Sequence, residues 1–180
     1  PFGKDMNGPI SRAFPPEENI DLPRGYKDGW QELRWRPVRR KEPHTILDPS
    51  KHVYPNNGIP YLLCQVHSAV SRNAVLNVLA GAEIKIWCNG VLAIDDTSRN
   101  EHLSVHRRTG IRLEKGWNRI LVKANTRLLL RLTDPNGTPF GEEALAEEAE
   151  VKLHPLPTNA AGTWEGPYSE AAEKTWRQRL

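Results

Sequence analysis

The strongest indication of the fold in this chain is the stretch EIKIWCNGVLAIDD, from Glu83 to Asp96. Apolar residues occupy every second position from Ile84 to Cys88, which is the period of a strand with one face in a core. Asn89-Gly90 follows, and a second apolar run begins at Val91. Because a type I′ turn requires positive φ at both central positions, this pair predicts a tight β-hairpin.

A second stretch, LEKGWNRILVKAN from Leu113 to Asn125, shows the same alternation. Gly116 is predicted to lie in a turn, and apolar residues alternate from Ile120 to Ala124, with Leu121 and Lys123 on the other face. Short strands with no helices between them predict an all-β fold, an antiparallel β-sandwich with jelly-roll-like topology. The predicted strands cover residues 31–38, 61–68, 74–79, 84–88, 91–94, 110–113, 119–125 and 128–133.

The first two parts of the chain are an arm and the sandwich. Residues 1–28 are rich in proline, glycine and charge and are interpreted as an extended arm, with Phe14 to Glu17 extended rather than helical. Residues 29–140 form the β-sandwich domain. Within it, residues 43–60 are predicted to be a long loop and Asp95 to Arg108 a long polar loop.

The third part, residues 141–180, is interpreted as a helical and linker tail that packs on the sandwich or leads away from it. Glutamates interleaved with alanines between Glu142 and Glu150 suit a short surface helix. A linker runs from His154 to Pro167, and Ser169 is placed to cap a final helix, Glu170 to Leu180.

Composition and charge bound the class of protein. At 180 residues, 38% hydrophobic and 26% charged, the chain is long enough for one domain with a buried core and a polar periphery. Its net charge is only +3. In the densest basic cluster, Arg34 to Lys41, Trp35 alternates with the arginines and is expected to point into the core rather than stack on bases, so no nucleic-acid partner is expected. No apolar run approaches the roughly 18 residues of a membrane span. The chain begins at Pro1 without a methionine, which indicates an excised or processed piece.

The two cysteines, Cys64 and Cys88, both lie in predicted strands. They are interpreted as buried thiols that act as small hydrophobic residues. A disulfide between neighbouring strands is the alternative, and it would suit an exported protein. Two cysteines without C-x-x-C spacing predict no zinc site.

Several short motifs occur in an order that resembles a known type of domain. They are PF at the start, FPPE (14–17), IDL (20–22), WRPV (35–38), VHS (66–68), IKIWCNG (84–90), LEKGWNRILVKAN (113–125) and LRLTDPNGTPF (130–140). In this order they resemble a β-sandwich accessory domain of bacterial polysaccharide-degrading and cell-surface proteins. The resemblance implies a jelly-roll-like, extracellular, periplasmic or cell-surface domain. Such a domain binds carbohydrate or is a non-catalytic spacer beside a glycoside hydrolase or lyase.

The hairpin is also similar to the core of protective-antigen-type sugar-binding domains. In those domains a paired-aspartate loop just before the hairpin holds calcium. Here the corresponding stretch, Ala80 to Glu83, has one carboxylate and no aspartate pair. Because calcium takes six or more oxygen ligands, the resemblance implies a degenerate site, and we expect neither calcium nor any other cofactor.

Binding of carbohydrate requires an exposed aromatic ring for the apolar face of a sugar and polar side chains for its hydroxyls. The predicted carbohydrate-binding residues are Trp30, Tyr54, Tyr61, Asp95, Asp96, Arg99, Asn100 and His102. The aromatic members border polar loops, whereas Trp35, Trp87 and Trp117 are expected in the core or supporting the sheet. The polar members lie in the loop that begins at Asp95, because binding residues tend to sit in loops on a rigid scaffold. A solvated connection without a ligand is the other interpretation of that loop.

Motifs of catalysis are missing from the sequence: it has no G-x-S-x-G elbow, no phosphate-binding loop and no H-E-x-x-H. We therefore expect a non-catalytic module that binds polysaccharide or oligosaccharide beside a catalytic domain of the same parent protein. The alternative is a structural or protein-interaction domain that docks onto a catalytic neighbour without binding sugar.

Overall fold

A computed structural model describes residues 10–28, 31–38, 46–49, 59–97, 105–140, 152–158, 163–164 and 166. In chain order the elements are α1 (Pro15–Glu18), β1 (Tyr26–Asp28), β2 (Gln31–Leu33), β3 (Tyr61–Ser68), β4 (Arg72–Ala80), β5 (Ile84–Cys88), β6 (Val91–Asp96), β7 (Val105–Leu113), β8 (Gly116–Ala124), β9 (Leu128–Thr133) and β10 (Thr163–Trp164). No helix among the described residues is long and apolar enough to span a membrane.

The strands form two four-stranded antiparallel sheets, β10-β7-β4-β9 and β3-β8-β5-β6, beside a separate β1-β2 hairpin. From β3 to β9 the chain changes sheet at every connection except the β5-β6 hairpin. This alternation places the two sheets face to face. The predicted all-β antiparallel sandwich is confirmed.

Residues that alternate along the strands fill the space between the sheets. Ile84 and Ile86 of β5 are fully buried, as are Ile111 of β7 and Ile120 of β8. The strand bounds predicted at residues 61–68, 84–88 and 128–133 agree with β3, β5 and β9. In β5 the alternation therefore identified both the strand and the face that it buries.

The hairpin turn has the predicted geometry, with φ of 50° at Asn89 and 85° at Gly90. The Asn89 side chain is buried, and its Nδ2 donates to Asn118 Oδ1 at 2.8 Å. The backbone N–H of Arg119 donates to Asn89 Oδ1 at 2.8 Å, and the backbone N–H of Glu114 donates to Asn118 Oδ1 at 2.8 Å. The two buried amides thus tie the β5-β6 turn to the start of β8.

Three sequence expectations about secondary structure are wrong. Pro15–Glu18 form one helical turn rather than extended chain, because proline suits the first helical turn and Glu17 reaches back to the Phe14 backbone N–H at 3.3 Å. The strand expected over residues 31–38 ends at Leu33, since Pro37 and Val38 have no sheet partner among the described residues. The polar loop expected from Asp95 to Arg108 is shorter, because β6 continues to Asp96 and β7 begins at Val105.

The tail expectations are partly outside the described residues. The residues near 142–150 and 170–180, where helices are expected, lie outside the described residues. Within the expected linker, Thr163–Trp164 form β10, which pairs with β7 opposite Gly110 and Ile111. The described part of the tail therefore packs on the sandwich.

Cys88 is buried and Cys64 is partly buried, and neither forms a disulfide. Cys64 on β3 and Cys88 on β5 both lie opposite Ile120, on the two sides of β8. Two interstrand steps separate their Cα atoms by about 9.5 Å, beyond the roughly 7 Å that a disulfide can bridge. Burial raises the pKa of the Cys88 thiol to about 12. The disulfide alternative is wrong.

Candidate functional site

The surface of the β3-β8-β5-β6 sheet that points away from the core is the candidate site, and we call it the outer face. Strand register places aromatic and polar side chains from all four strands on it. They are Tyr61, Leu63, Gln65 and His67 on β3, Trp117, Arg119, Leu121 and Lys123 on β8, Lys85 and Trp87 on β5, and Leu92 and Asp95 on β6. Three aromatic residues, from three different strands, therefore share one face.

One end of the outer face is covered by the arm, through contacts that we call the arm anchor (Arg12, Phe14, Glu17, Tyr61 and Lys123). The Lys123 side chain is fully buried, and its Nζ donates to Glu17 Oε1 at 2.7 Å and to the Arg12 carbonyl oxygen. The same Nζ lies 4.9 Å from the centre of the Phe14 ring and 5.6 Å from that of Tyr61. Carboxylate, carbonyl and two aromatic rings thus surround the ammonium group, which satisfies the buried charge.

Tyr61, a predicted sugar platform, belongs to the arm anchor. It is half-buried, and its hydroxyl donates to Glu17 Oε1. Burial raises the pKa of the phenol far above its usual value, and the Glu17 carboxylate raises it further. Burial also lowers the pKa of Lys123, while Glu17 opposes that shift. The structure therefore gives Tyr61 a partner within the chain.

The opposite end of the outer face is covered by residues 152–158, which we call the strap. The Gln65 carboxamide binds its backbone twice: Nε2 donates to the Lys152 carbonyl at 2.6 Å, and the His154 N–H donates to Oε1 at 2.9 Å. Arg119 donates to the His154 carbonyl at 2.8 Å. The His154 ring stacks on Trp117, with centroids 4.2 Å apart and planes 8° from parallel.

Between the two covered ends lies the row that contains Trp87. Trp87 is half-buried, and it pairs with Leu121 on one side and with Leu92, which is 42% exposed, on the other. Beside it, Lys85 Nζ lies 3.1 Å from Asp95 Oδ2 at the surface. Trp87 is the functional candidate that sequence reasoning missed. The missed signal was its alternation with Ile86 and Cys88, since two inward neighbours require an outward tryptophan.

The two predicted aspartates lie on opposite faces of β6. Asp95 is on the outer face, whereas Asp96 lies opposite Ile84 and bonds to Arg107 Nε at 2.5 Å between the sheets. The Arg107 guanidinium also donates to the carbonyls of Ala80 and Ala82, at 3.2 and 3.3 Å. Asp96 is therefore part of a partly buried ion pair with Arg107 and is not on the outer face.

The same contacts bear on the stretch that corresponds to a calcium loop. Its oxygen atoms at Ala80 and Ala82, together with the Asp96 carboxylate, already bind a cation, the Arg107 guanidinium. The described residues contain no group of three or more His, Cys, Asp or Glu side chains that could hold a metal ion. The expectation that the domain uses no calcium stays a prediction.

The other predicted site residues, Trp30, Tyr54, Arg99, Asn100 and His102, lie outside the described residues. Of the aromatic residues expected to be structural, Trp35 packs against the Phe14, Tyr26 and Leu33 cluster. The structure thus brings Tyr61 and Asp95 to one face, moves Asp96 to the other, and adds Trp87 and Trp117.

Comparisons with known proteins give distant likenesses. No protein-family model matches the chain, and no curated protein matches it. A selenomethionine-labelled beta-glucosidase from Kluyveromyces marxianus is similar over 47% of this chain, with 15% identity and a TM-score of 0.37. The structure of beta-glucosidase from the same organism in complex with glucose is similar over 60% of this chain, with 14% identity and a TM-score of 0.42. The matched regions span only 12% and 15% of the lengths of those chains.

Proposed function

We propose that this chain is a non-catalytic carbohydrate-binding module that binds polysaccharide through the outer face. The observation that supports this proposal is the half-buried Trp87, which lies opposite the exposed Leu92 and next to the Lys85–Asp95 ion pair of the neighbouring row. An indole face binds the apolar face of a sugar ring, and neighbouring charged groups bind its hydroxyls. Trp87 and the Lys85–Asp95 pair of the neighbouring row supply both kinds of group.

The sheet suits Trp87 to this role. Ile86 and Cys88, its neighbours in β5, are anchored in the core, and β5 lies between β6 and β8. A side chain on a central strand is held in place before a ligand arrives, so little ordering remains to be done on binding. Flat polymers also require an open surface, which a sheet face provides.

The setting follows from the sequence resemblance. In our proposal the domain belongs to an exported protein, at the cell surface, in the periplasm or outside the cell. It holds the polysaccharide near a glycoside hydrolase or lyase domain of the same parent protein and performs no catalysis itself. Its binding does not require calcium.

The test is a glycan array and affinity gel electrophoresis with plant, algal and microbial polysaccharides. We expect saturable retention that Trp87→Ala abolishes, Trp87→Phe partly preserves and Asp95→Ala weakens. Val70→Ala, which trims another exposed apolar side chain, should change nothing. EDTA should leave retention unaltered. If the folded wild-type chain is retained by no polysaccharide, the proposal is wrong.

A second candidate is a structural domain that docks onto a catalytic neighbour without binding sugar. Its support is the coverage of the outer face at both ends by other parts of the chain, the arm anchor and the strap. This candidate predicts that Trp87 and Leu92 become buried in the parent protein. Hydrogen exchange of β5 and β6, compared between the isolated chain and the parent protein, measures that burial.

A further inference from the structure

We propose that Trp117, Gln65 and Arg119 form a second sugar-binding subsite, which the chain closes with its own strap. This inference rests on the proposed function and extends it from one aromatic platform to two. The strap occupies the subsite in place of a glycan. A glycan that displaces the strap can then bind to these three residues.

The three subsite residues come from adjacent positions on two paired strands. Gln65 lies opposite Arg119, and His67, the next outward residue of β3, lies opposite Trp117. Trp117 and Arg119 are two positions apart on β8, so their side chains leave the sheet about 7 Å apart on the same face. The arrangement is therefore fixed by strand register.

The strap makes with this subsite the contacts that a sugar would make. A flat ring, the His154 imidazole, lies parallel to Trp117 with centroids 4.2 Å apart, where the apolar face of a pyranose would stack. The Gln65 carboxamide offers one donor and one acceptor, both used by strap backbone atoms, as a pair of hydroxyls could use them. Arg119 contributes a charged donor to the His154 carbonyl.

Arg119 has a hydrogen-bond donor that the strap does not use. Its Nε is buried and has no hydrogen-bond partner in the part of the chain that the structure describes. A buried donor without a partner is costly, and an incoming hydroxyl group could relieve that cost. Burial also lowers the pKa of this guanidinium.

The strap is suited to being displaced. Its polar contacts with the subsite use backbone atoms, and among its described side chains only His154 stacks on the sheet. Lys152, Pro155 and Leu156 are exposed. Among the contacts described above, a glycan must therefore replace one ring stack and three hydrogen bonds, one exposed and two partly buried, and its ring and hydroxyls can make similar contacts with the same partners.

The experiment compares His154→Ala with His67→Ala. Both histidines contact Trp117, but His67 belongs to the sheet and meets the indole edge-on at 5.3 Å. Only loss of His154 should open the subsite. The probe is the polysaccharide that retains the wild-type chain most strongly in the screen above, or the whole panel if none does.

We expect His154→Ala to raise apparent affinity about three- to tenfold, since closing a site reduces affinity by the open fraction and one aromatic stack accounts for such a factor. His67→Ala should not raise affinity, because it leaves the strap in place on Trp117. Adding Trp117→Ala to His154→Ala should cancel the gain, and Trp117→Phe should cancel part of it. Circular dichroism and thermal unfolding confirm that each variant is folded.

The outcomes separate this inference from the proposed function. If Trp87-dependent binding is present but His154→Ala does not strengthen it, the inference is wrong and the proposed function stands. Retention of His154→Ala without retention of the wild-type chain would support the closed subsite and overturn the proposed function of the unaltered chain. Failure of every folded variant to bind the panel would overturn both.

Discussion

The two ends of the outer face are covered by segments that are held in opposite ways. The arm anchor inserts a charge into the protein: Lys123 is fully buried, 2.7 Å from Glu17 and between two aromatic rings. The strap lies on the surface and is held through its backbone by Gln65 and Arg119. One cover is part of the folded core, whereas the other can be exchanged.

This difference indicates which part of the outer face is accessible to a ligand. A buried ammonium deprived of its carboxylate leaves an uncompensated charge, so the arm cannot leave without a large loss of stability. Surface hydrogen bonds and one ring stack are readily exchanged for similar contacts with water or a ligand. The functional region should therefore extend from Trp87 toward Trp117 and away from Tyr61.

Disruption of the arm anchor should destabilise the protein more than any other change proposed below. Lys123→Ala leaves the Glu17 carboxylate partly buried without its cation and should lower the free energy of unfolding by about 3–5 kcal/mol, measured by urea denaturation. Lys85→Ala is the matched control, because it removes a lysine of the same face from an exposed pair with Asp95. That variant should cost less than about 1 kcal/mol.

A double variant sharpens this prediction. Replacing the pair by Lys123→Met and Glu17→Gln removes both charges, so most of the stability lost in Lys123→Ala should return. If Lys123→Ala lowers the free energy of unfolding no more than Lys85→Ala does, the Lys123–Glu17 contact does not anchor the arm. The arm and the strap would then not differ in how firmly they are held.

An intermediate effect is expected from the Tyr61 hydroxyl, and it depends on pH. Burial and Glu17 raise the pKa of Tyr61 in the folded protein, whereas tyrosine in the unfolded chain ionises near pH 10. Above that pH the unfolded state binds fewer protons than the native state, so stability falls as pH rises. In Tyr61→Phe, the free energy of unfolding should therefore fall less steeply with rising pH than in the wild-type chain.

Lys123 contributes with the opposite sign. Between its lowered native pKa and the unfolded value of about 10.4, the native state binds fewer protons than the unfolded state, so this contribution makes stability rise with pH. Lys123 is present in both proteins, so the difference between their stability curves reports Tyr61. Urea denaturation at several pH values from 8 upward measures it. Parallel curves for wild type and Tyr61→Phe would show that the phenol is not held protonated by the arm anchor.

Sequence patterns were sufficient for the sandwich because they are local. The alternation from Ile84 to Cys88 and the Asn89-Gly90 turn specify a strand, its buried face and its reversal without reference to distant residues. The same alternation placed Lys123 on the outer face but gave no sign that it is buried. Its partner Glu17 is 106 positions away, and no period in the sequence relates them.

The candidate site was predicted less well, for the same reason. Polar residues at Asp95 and Asp96 suggested a loop, yet the partners that hold them in β6, Lys85 and Arg107, are found only once strands pair. Trp87 was readable from alternation alone, but hydrophobicity argued for the core. The arm and the strap determine which aromatic residues of the outer face stay exposed to solvent. The pattern within a single strand does not predict which residues other segments will cover.

The smallest effect is expected where the strap meets the sheet. Gln65→Ala removes two hydrogen bonds to the backbone of Lys152 and His154, both near the surface. Because water can replace them, we expect a loss of at most about 1 kcal/mol in the free energy of unfolding. In hydrogen exchange, the His154 amide should lose protection while the β3 amides retain theirs. A loss as large as that in Lys123→Ala would mean that the strap is as integral to the fold as the arm, and the exchangeable cover inferred here would not exist.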